Sequence, residues 1–301
     1  MKLVLPLLLL FVLAGCLFFA GLGSLPLLEP DEGRNAEVAR EMLASGNWIT
    51  PHYNGLPYLD KPAVFFCLVA TSFKLGGLRE WSARVPSALM GLCLLLLSWF
   101  LARRMFGDAT AARAGVVVAT APLVVVFSRL VIFDMTLAFL ITLAMVSFWF
   151  AETAEFRRPG LDILMFLAMG LATITKGPVG LLLPLLSITA YQALRGKLRE
   201  LKRLRWALGC AVFLAAVLPW FISISIRFPD FPRYALLEES LARFSGGLVH
   251  RKGGLLYYFP VYLAGFFPWS VFLLWAGWSR RKQCKGIRLE RNRLFLPPGR
   301  S

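Results

Sequence analysis

The sequence is poor in charge, and poorest in acid and in histidine. Asp, Glu, Lys and Arg make up 17% of its 301 residues, against about a quarter in an ordinary soluble domain. The chain has 17 acidic residues and two histidines, His52 and His250. Its five cysteines are scattered through apolar stretches with no CxxC or paired spacing, which excludes a thiolate metal cluster and a disulfide scaffold. The sequence also lacks a Walker loop, a GxSxG elbow, an HExxH pair and a GxGxxG fingerprint. Nucleotide hydrolysis, serine-esterase chemistry and zinc proteolysis therefore gain no support, and no nucleotide or organic cofactor is expected. What is abundant is apolar: 58% of residues are hydrophobic and mean hydropathy is +0.66. That excludes a disordered chain and an ordinary soluble domain.

The apolar residues are blocked into runs long enough to cross a bilayer, which takes about 20 residues per helix. Clear candidates are 3–28, 85–102, 135–151, 177–194, 206–226 and 254–279, with 114–128 and 163–175 as shorter ones. The expected fold is an all-α polytopic bundle of about eight transmembrane helices. Segment 3–28 has a signal-peptide alternative, but the apolar run continues to Leu28 without a clear cleavage site, so an uncleaved first helix is expected.

The net charge of +16 points less to nucleic acid than to topology. Lys2, Arg103, Arg104, Arg113, Arg157, Arg158 and the basic stretches 195–205 and 280–301 fall on one side, with 20 bases against six acids. The other side carries 13 bases and 11 acids. Short basic loops stay cytoplasmic. The alternation holds only if 62–73 does not cross, so that stretch is expected to lie on or dip into the outer leaflet. The expected organisation is a first span (1–28), an extracytoplasmic loop with interfacial helices (29–84), a bundle (85–279) interrupted by a second outer loop (227–253), and a basic cytoplasmic tail (280–301).

Ionisable groups near lipid are costly and tend to mark function. Asp31, Glu32, Arg34, Asp60, Lys61, Arg129, Asp134, Lys176, His250 and Arg251 all map to the outer side, at span ends rather than at mid-membrane. A transporter or lipid flippase places polar groups deep in the bundle, so this pattern favours surface chemistry. Each group has a structural alternative. Asp31 and Glu32, beside Arg34, suit a general base or a divalent cation, or simply the positive start of a helix at 35–45. Asn54-Gly55 reads as a turn. Lys61 suits a phosphate, or a salt bridge with Asp60, or snorkelling. Arg129 and Asp134 bracket a hairpin where they can neutralise each other, and Asp134 is also placed to cap the next helix. Lys176 suits an anionic ligand or snorkels. His250 is a surface residue or a ligand.

Together these residues carry a resemblance. Glu29-Pro30-Asp31-Glu32-Gly33-Arg34, Ala36 to Leu43, Gly46-Asn47-Trp48, Asn54 to Tyr58, Asp60-Lys61-Pro62, Ala83-Arg84-Val85-Pro86-Ser87, Ser128 to Met135, Thr175-Lys176-Gly177-Pro178 and Pro268-Trp269-Ser270 occur in order. The set resembles the polytopic GT-C glycosyltransferases that include protein O-mannosyltransferases and lipid A aminoarabinose transferases. The resemblance implies an inverting enzyme that takes a sugar from a polyprenyl-phosphate donor to a lipid A-like, protein or glycan acceptor at the outer face of the inner membrane. It implies Asp31 as catalytic carboxylate and Asp134 as a second acid, with Glu32 beside them. Arg34, Lys61, Lys176 and Arg251 would hold phosphate, and Asp60 with His250 would form a metal pair for a divalent ion. Asn35 stands where relatives often have an aromatic residue, and Asp60 where Glu is usual. Family members are longer, so a non-catalytic or partner-dependent member is the alternative.

Overall fold

The computed structural model describes residues 4–154, 158–235 and 255–279. The chain divides into two compact units, Met1–Thr120 with Val124–His250, and Ala121–Leu123 with Arg251–Ser301.

In the larger unit, helix α1 (Val4–Ala14) continues into a π-turn at Gly15–Phe19. Helix α2 (Asp31–Ser45) follows, then a two-stranded hairpin, β1 (His52–Tyr53) and β2 (Leu56–Pro57), and helix α3 (Val64–Gly76). The bundle comprises α4 (Glu80–Phe106), α5 (Asp108–Thr120), α6 (Pro122–Ser128), α7 (Asp134–Thr153), α8 (Pro159–Lys176), α9 (Val179–Leu194), α10 (Trp206–Arg227) and the short α11 (Phe231–Arg233). The smaller unit holds α12 (Tyr258–Gly265) and α13 (Trp269–Ser279).

Among the described residues α4, α7, α8 and α10 are long and apolar enough to span a bilayer. The bent pairs α5–α6 (60°) and α12–α13 (103°) bring the number to six. Leu8–Phe19, α3 and α9 are shorter apolar helices. Every segment expected to span contains a helix or a bent pair, and among the described residues four to six of them meet the length and composition of a full span. Many large side chains on these helices are exposed, among them Leu186, Leu214 and Ile222. The chain is a multi-pass membrane protein whose solvent on those faces is lipid.

The segment between α1 and α4 folds for readable reasons. Helix α2 buries Glu32, Asn35, Ala36, Val38, Ala39 and Met42, a three-and-four spacing that makes one face. That face meets Phe65, Phe66, Val69, Ala70 and Phe73 of α3 in a single core that also takes Val131 and Phe133. The Phe133 ring lies 4.7 Å from Phe65 and 5.3 Å from Phe66. The Asn54-Gly55 turn has both residues at positive φ (54° and 75°), the primed geometry a tight hairpin needs, and pairs Tyr53 with Leu56. Helix α3 has 13 residues, about 20 Å of rise, less than the roughly 30 Å hydrocarbon core.

Within the bundle α8 packs on α7, α9 and α10, while α4 packs on α5 and α7. Between α8 and α9 the chain reverses sharply at Gly177 (φ +84°), whose N–H donates to the Thr173 carbonyl at 2.7 Å. Gly180 then lies against the backbone of Ala172 and Thr173 with no space for a Cβ. This close approach sets Lys176 at the tip of α8.

Candidate functional site

A cavity of about 500 Å³ opens where the hairpin's exit, the α8–α9 turn and α10 meet. Asp60 and Lys61 form one edge and Lys176 another, with Phe213, Val217, Trp220 and Phe221 as an apolar wall from α10. Phe231 closes the same side. The result is a mostly hydrophobic chamber with two ammonium groups at its rim, a composition suited to an amphiphile with an anionic head.

Each charged group is held by a specific contact. The Lys176 ammonium donates to Asp134 Oδ1 at 2.6 Å, a pair about one-third exposed. Asp134 opens α7 and so reaches the cavity edge through Lys176. The Lys61 ammonium donates to the Asp60 main-chain carbonyl at 2.9 Å. The Asp60 carboxylate in turn accepts from the Tyr234 hydroxyl at 2.6 Å. Three expected residues, Asp60, Lys61 and Lys176, are therefore brought together directly, and Asp134 joins them by its ion pair.

Asp31 and Arg34 lie one helical turn apart on α2, are joined by an ion pair, and are not among the cavity's lining residues. The Arg34 guanidinium lies 5.9 Å from the Tyr58 ring centre, two residues before Asp60. Asp31 is largely exposed, open to a substrate from solvent or membrane surface.

Glu32, its neighbour, is placed otherwise. It is buried, with its carboxylate accepting from Arg84 Nε at 2.9 Å and Nη2 at 2.8 Å. It also accepts the Leu28 and Val131 main-chain N–H groups, both at 2.9 Å. Arg84 donates further to the carbonyls of Leu22, Leu25 and Pro26. Burial pushes the Glu32 pKa up, but the Arg84 hydrogen bonds, the two main-chain donors and the Arg84 charge outweigh it and hold the carboxyl below its ordinary range. Four donors occupy its oxygens, and Glu32 ties α2 to α4 and to the segment at Val131. Asn35 adds a parallel tie, its Nδ2 donating to the Val131 carbonyl at 2.8 Å.

Other local expectations are replaced by longer-range contacts. Arg129 does not pair with Asp134; it donates to the Leu17 carbonyl at 3.0 Å, at the open end of the first helix. Nor do Asp31 and Asp134 cap their helices by side-chain bonds, since Pro30 and Phe133 hold the cap positions. Lys61 contacts the carbonyl of Asp60 instead of its carboxylate. His250 and Arg251 lie outside the described residues. Among the described residues no group of three His, Cys, Asp or Glu side chains gathers around a point. Asp60 accepts from Tyr234, and His250, its expected metal partner, lies outside the described residues.

Several residues with evident positional roles escaped the sequence reading. Arg84 stood in view only as part of a motif; its signal was an arginine at the mouth of an apolar run. Trp220 Nε1 donates to the Ile49 carbonyl at 2.9 Å, and Arg227 Nη1 to Thr50 Oγ1 at 3.0 Å. These two bonds tie the cavity wall to the loop before the hairpin. No spacing rule reveals contacts so far apart in sequence.

Residues 3–235 match the family described as dolichyl-phosphate-mannose-protein mannosyltransferase. The undecaprenyl phosphate-alpha-4-amino-4-deoxy-L-arabinose arabinosyl transferase of Aeromonas hydrophila is 34% identical over 264 residues, 85% of this chain and 48% of that protein. The enzyme of the same name from Pseudomonas aeruginosa is 30% identical, covering 93% of this chain and 52% of the relative. The crystal structure of ArnT from Cupriavidus metallidurans bound to undecaprenyl phosphate superposes with a TM-score of 0.84 at 35% identity, covering 90% of this chain and 50% of that one. Its apo form gives 0.81. The chain spans about half the length of these relatives. The length of the family match and the shared helical fold show the same thing: the chain belongs to the dolichyl-phosphate-mannose-protein mannosyltransferase family of polytopic membrane proteins.

Proposed function

We propose that this chain carries the donor site of a membrane glycosyltransferase. It takes a sugar from a polyprenyl phosphate and passes it to a lipid A-like, protein or glycan acceptor with inversion. The observation that carries this reading is the apolar cavity of about 500 Å³ with Lys61 and Lys176 at its rim and Asp134 bonded to Lys176. A polyprenyl chain needs apolar walls and its phosphate needs cations, and the chamber offers both. The arabinosyl transferases above, whose names specify an undecaprenyl-phosphate sugar, support the donor class and favour a pentose-like sugar.

Departure of the sugar leaves a phosphate anion, and a fixed ammonium group stabilises that charge as it develops. Lys61 and Lys176 are the candidates, both on the cavity rim, with Lys176 held in place by Asp134. Positive charge builds on the sugar at the same time, and a carboxylate nearby, Asp31 or Asp134, favours it electrostatically. A hydroxyl acceptor needs its proton removed, for which exposed Asp31 is suited. A phosphate acceptor is already ionised and needs no strong base.

The charge asymmetry supports an orientation in which this end of the bundle faces away from the cytosol of the inner membrane. In that arrangement 29–84 is an outer loop carrying interfacial helices, 227–253 is a second outer loop, and the 280–301 tail is cytoplasmic. Membranes holding the chain and a radiolabelled polyprenyl-phosphate sugar test the activity. Transfer is expected with the wild type, and a fall of about 100-fold or more in Asp31→Asn and in Lys61→Gln. Full turnover by both variants removes these residues from the chemistry.

A further inference from the structure

A second cavity, of about 570 Å³, lies at the other end of the bundle, between the last turns of α4 and α7 and the start of α8. Its lining includes Phe100, Arg104, Phe150, Arg158 and Leu161. Arg158 precedes α8 and Lys176 ends it. Eighteen residues of helix, about 27 Å, separate this cavity from the candidate donor site.

We infer that this cavity binds the phosphate headgroup of an anionic phospholipid, with Arg104 and Arg158 as the phosphate ligands. Among the described residues neither arginine is paired with an acid, whereas their neighbours are. Arg103 bonds Asp108 at 2.6 Å, and Arg195 approaches Glu152 at 3.9 Å. The cavity thus carries two positive charges that its own described side chains leave uncompensated. Arginine rather than lysine supplies them, and a guanidinium can hold two phosphate oxygens at once.

The aromatic surroundings fix the depth. Phe100 and Phe150 pack with ring centres 5.4 Å apart, and Trp149 lies 4.9 Å from Phe150. Arg103 sits 5.5 Å from the Trp99 ring centre and Arg104 5.3 Å from that of Phe100. Alternating aromatic and arginine side chains at helix ends mark the headgroup level of a bilayer. A lipid whose phosphate meets the guanidinium groups can lay its glycerol and first methylenes on Phe100, Phe150 and Leu161. A free phosphate gains nothing from those rings, so the occupant is a lipid. The basic character of this face adds long-range attraction for anionic headgroups.

The test is native mass spectrometry of the full chain released from micelles holding phosphatidylglycerol and phosphatidylcholine in equal amounts. The wild type is expected to retain phosphatidylglycerol in preference, and the R104Q/R158Q variant about ten-fold less of it. A control, R113Q/R199Q, removes the same charge at exposed positions outside the cavity and is expected to keep the wild-type preference. Equal retention of both lipids, undiminished retention in R104Q/R158Q, or an equal loss in the control overturns the inference. So does displacement of the lipid by millimolar inorganic phosphate, which would make this a plain anion site. Should circular dichroism show that R104Q/R158Q does not fold, R104K/R158K gives the answer. It keeps the charge and loses the fork, so reduced retention is expected and wild-type retention refutes the lipid site.

Discussion

Helices α2 and α10 both carry residues assigned to the proposed function, yet they are built in opposite ways. Helix α2 is locked: its inner face is fully packed on α3, and Glu32 is gripped by Arg84 and two main-chain donors. Helix α10 is largely exposed, with Gly209 and Ile224 as its buried residues; it packs along α8 and is joined to the first loop by three hydrogen bonds, one from Trp220 and two from Arg227. Under the proposed function the difference separates two tasks. Charge that must meet a reacting sugar gains from a fixed position, since misplacement by about 1 Å can cost 100-fold in rate. A wall that accommodates a long hydrocarbon gains from an open apolar face, because the tail needs surface rather than an exact fit.

The comparison breaks most severely at Arg84. Arg84→Met is expected to destabilise the chain by about 3–5 kcal/mol, because it strands a buried carboxylate and three carbonyls. The midpoint of thermal unfolding in detergent measures this. Isolated buried pairs can often be exchanged for apolar residues at little cost. Here the double change Glu32→Leu with Arg84→Met is expected to remain destabilising, since the Leu28 and Val131 N–H groups lose their acceptor at about 1–3 kcal/mol each. Recovery of wild-type stability in the double variant would make the network an ordinary ion pair. The same network has a pH signature. The folded Glu32 pKa lies below the ordinary 4.5, so its stabilisation is complete above about pH 4.5 and fades as pH falls through the lowered folded value. An unfolding midpoint that declines on acidification in the wild type, and declines less in Glu32→Gln, is the expected result.

Next in size is the lysine–carboxylate pair at the proposed donor cavity. Asp134→Asn is expected to loosen Lys176 and to lower sugar transfer about ten- to 100-fold, with a change in stability under about 1 kcal/mol because the pair is partly exposed. Lys176→Gln should act in the same direction, and the two changes together should cost less than their sum. Strict additivity would mean that the pair does not work as a unit.

How far these features were legible follows the distance over which each is determined. The apolar runs, the buried face of α2 and the Asn54-Gly55 turn depend on residues within one or two turns, and the structure has them where spacing put them. Helix α3 is likewise short, as its run from 62 to 73 indicated. The site's wiring is not local. Asp134 has Arg129 five residues away and takes Lys176, 42 residues away. Arg129 is drawn instead to carbonyls left open at the end of the first helix, a demand visible only once that end is placed beside it. Glu32 looked chemically equivalent to Asp31 in sequence, and one residue of helical rotation sends it into the core while Asp31 faces out. Composition grouped the charged span ends on one expected side of the bilayer; it had no means of pairing those charges.

The smallest expected effect is the most specific to α10. Trp220 lines the proposed donor cavity and donates its indole N–H to the Ile49 carbonyl, so it both shapes the wall and anchors it. Trp220→Phe keeps most of the apolar surface and removes the bond, worth about 0.5–1.5 kcal/mol. If α10 is an adjustable wall, the loss should appear as a two- to ten-fold rise in KM for the polyprenyl-phosphate donor with kcat unchanged, because ground state and transition state hold the hydrocarbon alike. If α10 instead positions the reacting groups as α2 does, kcat falls as well. Steady-state transfer at varied donor concentration separates the two, and a fall in kcat without a rise in KM would place α10 on the same footing as the braced helix α2.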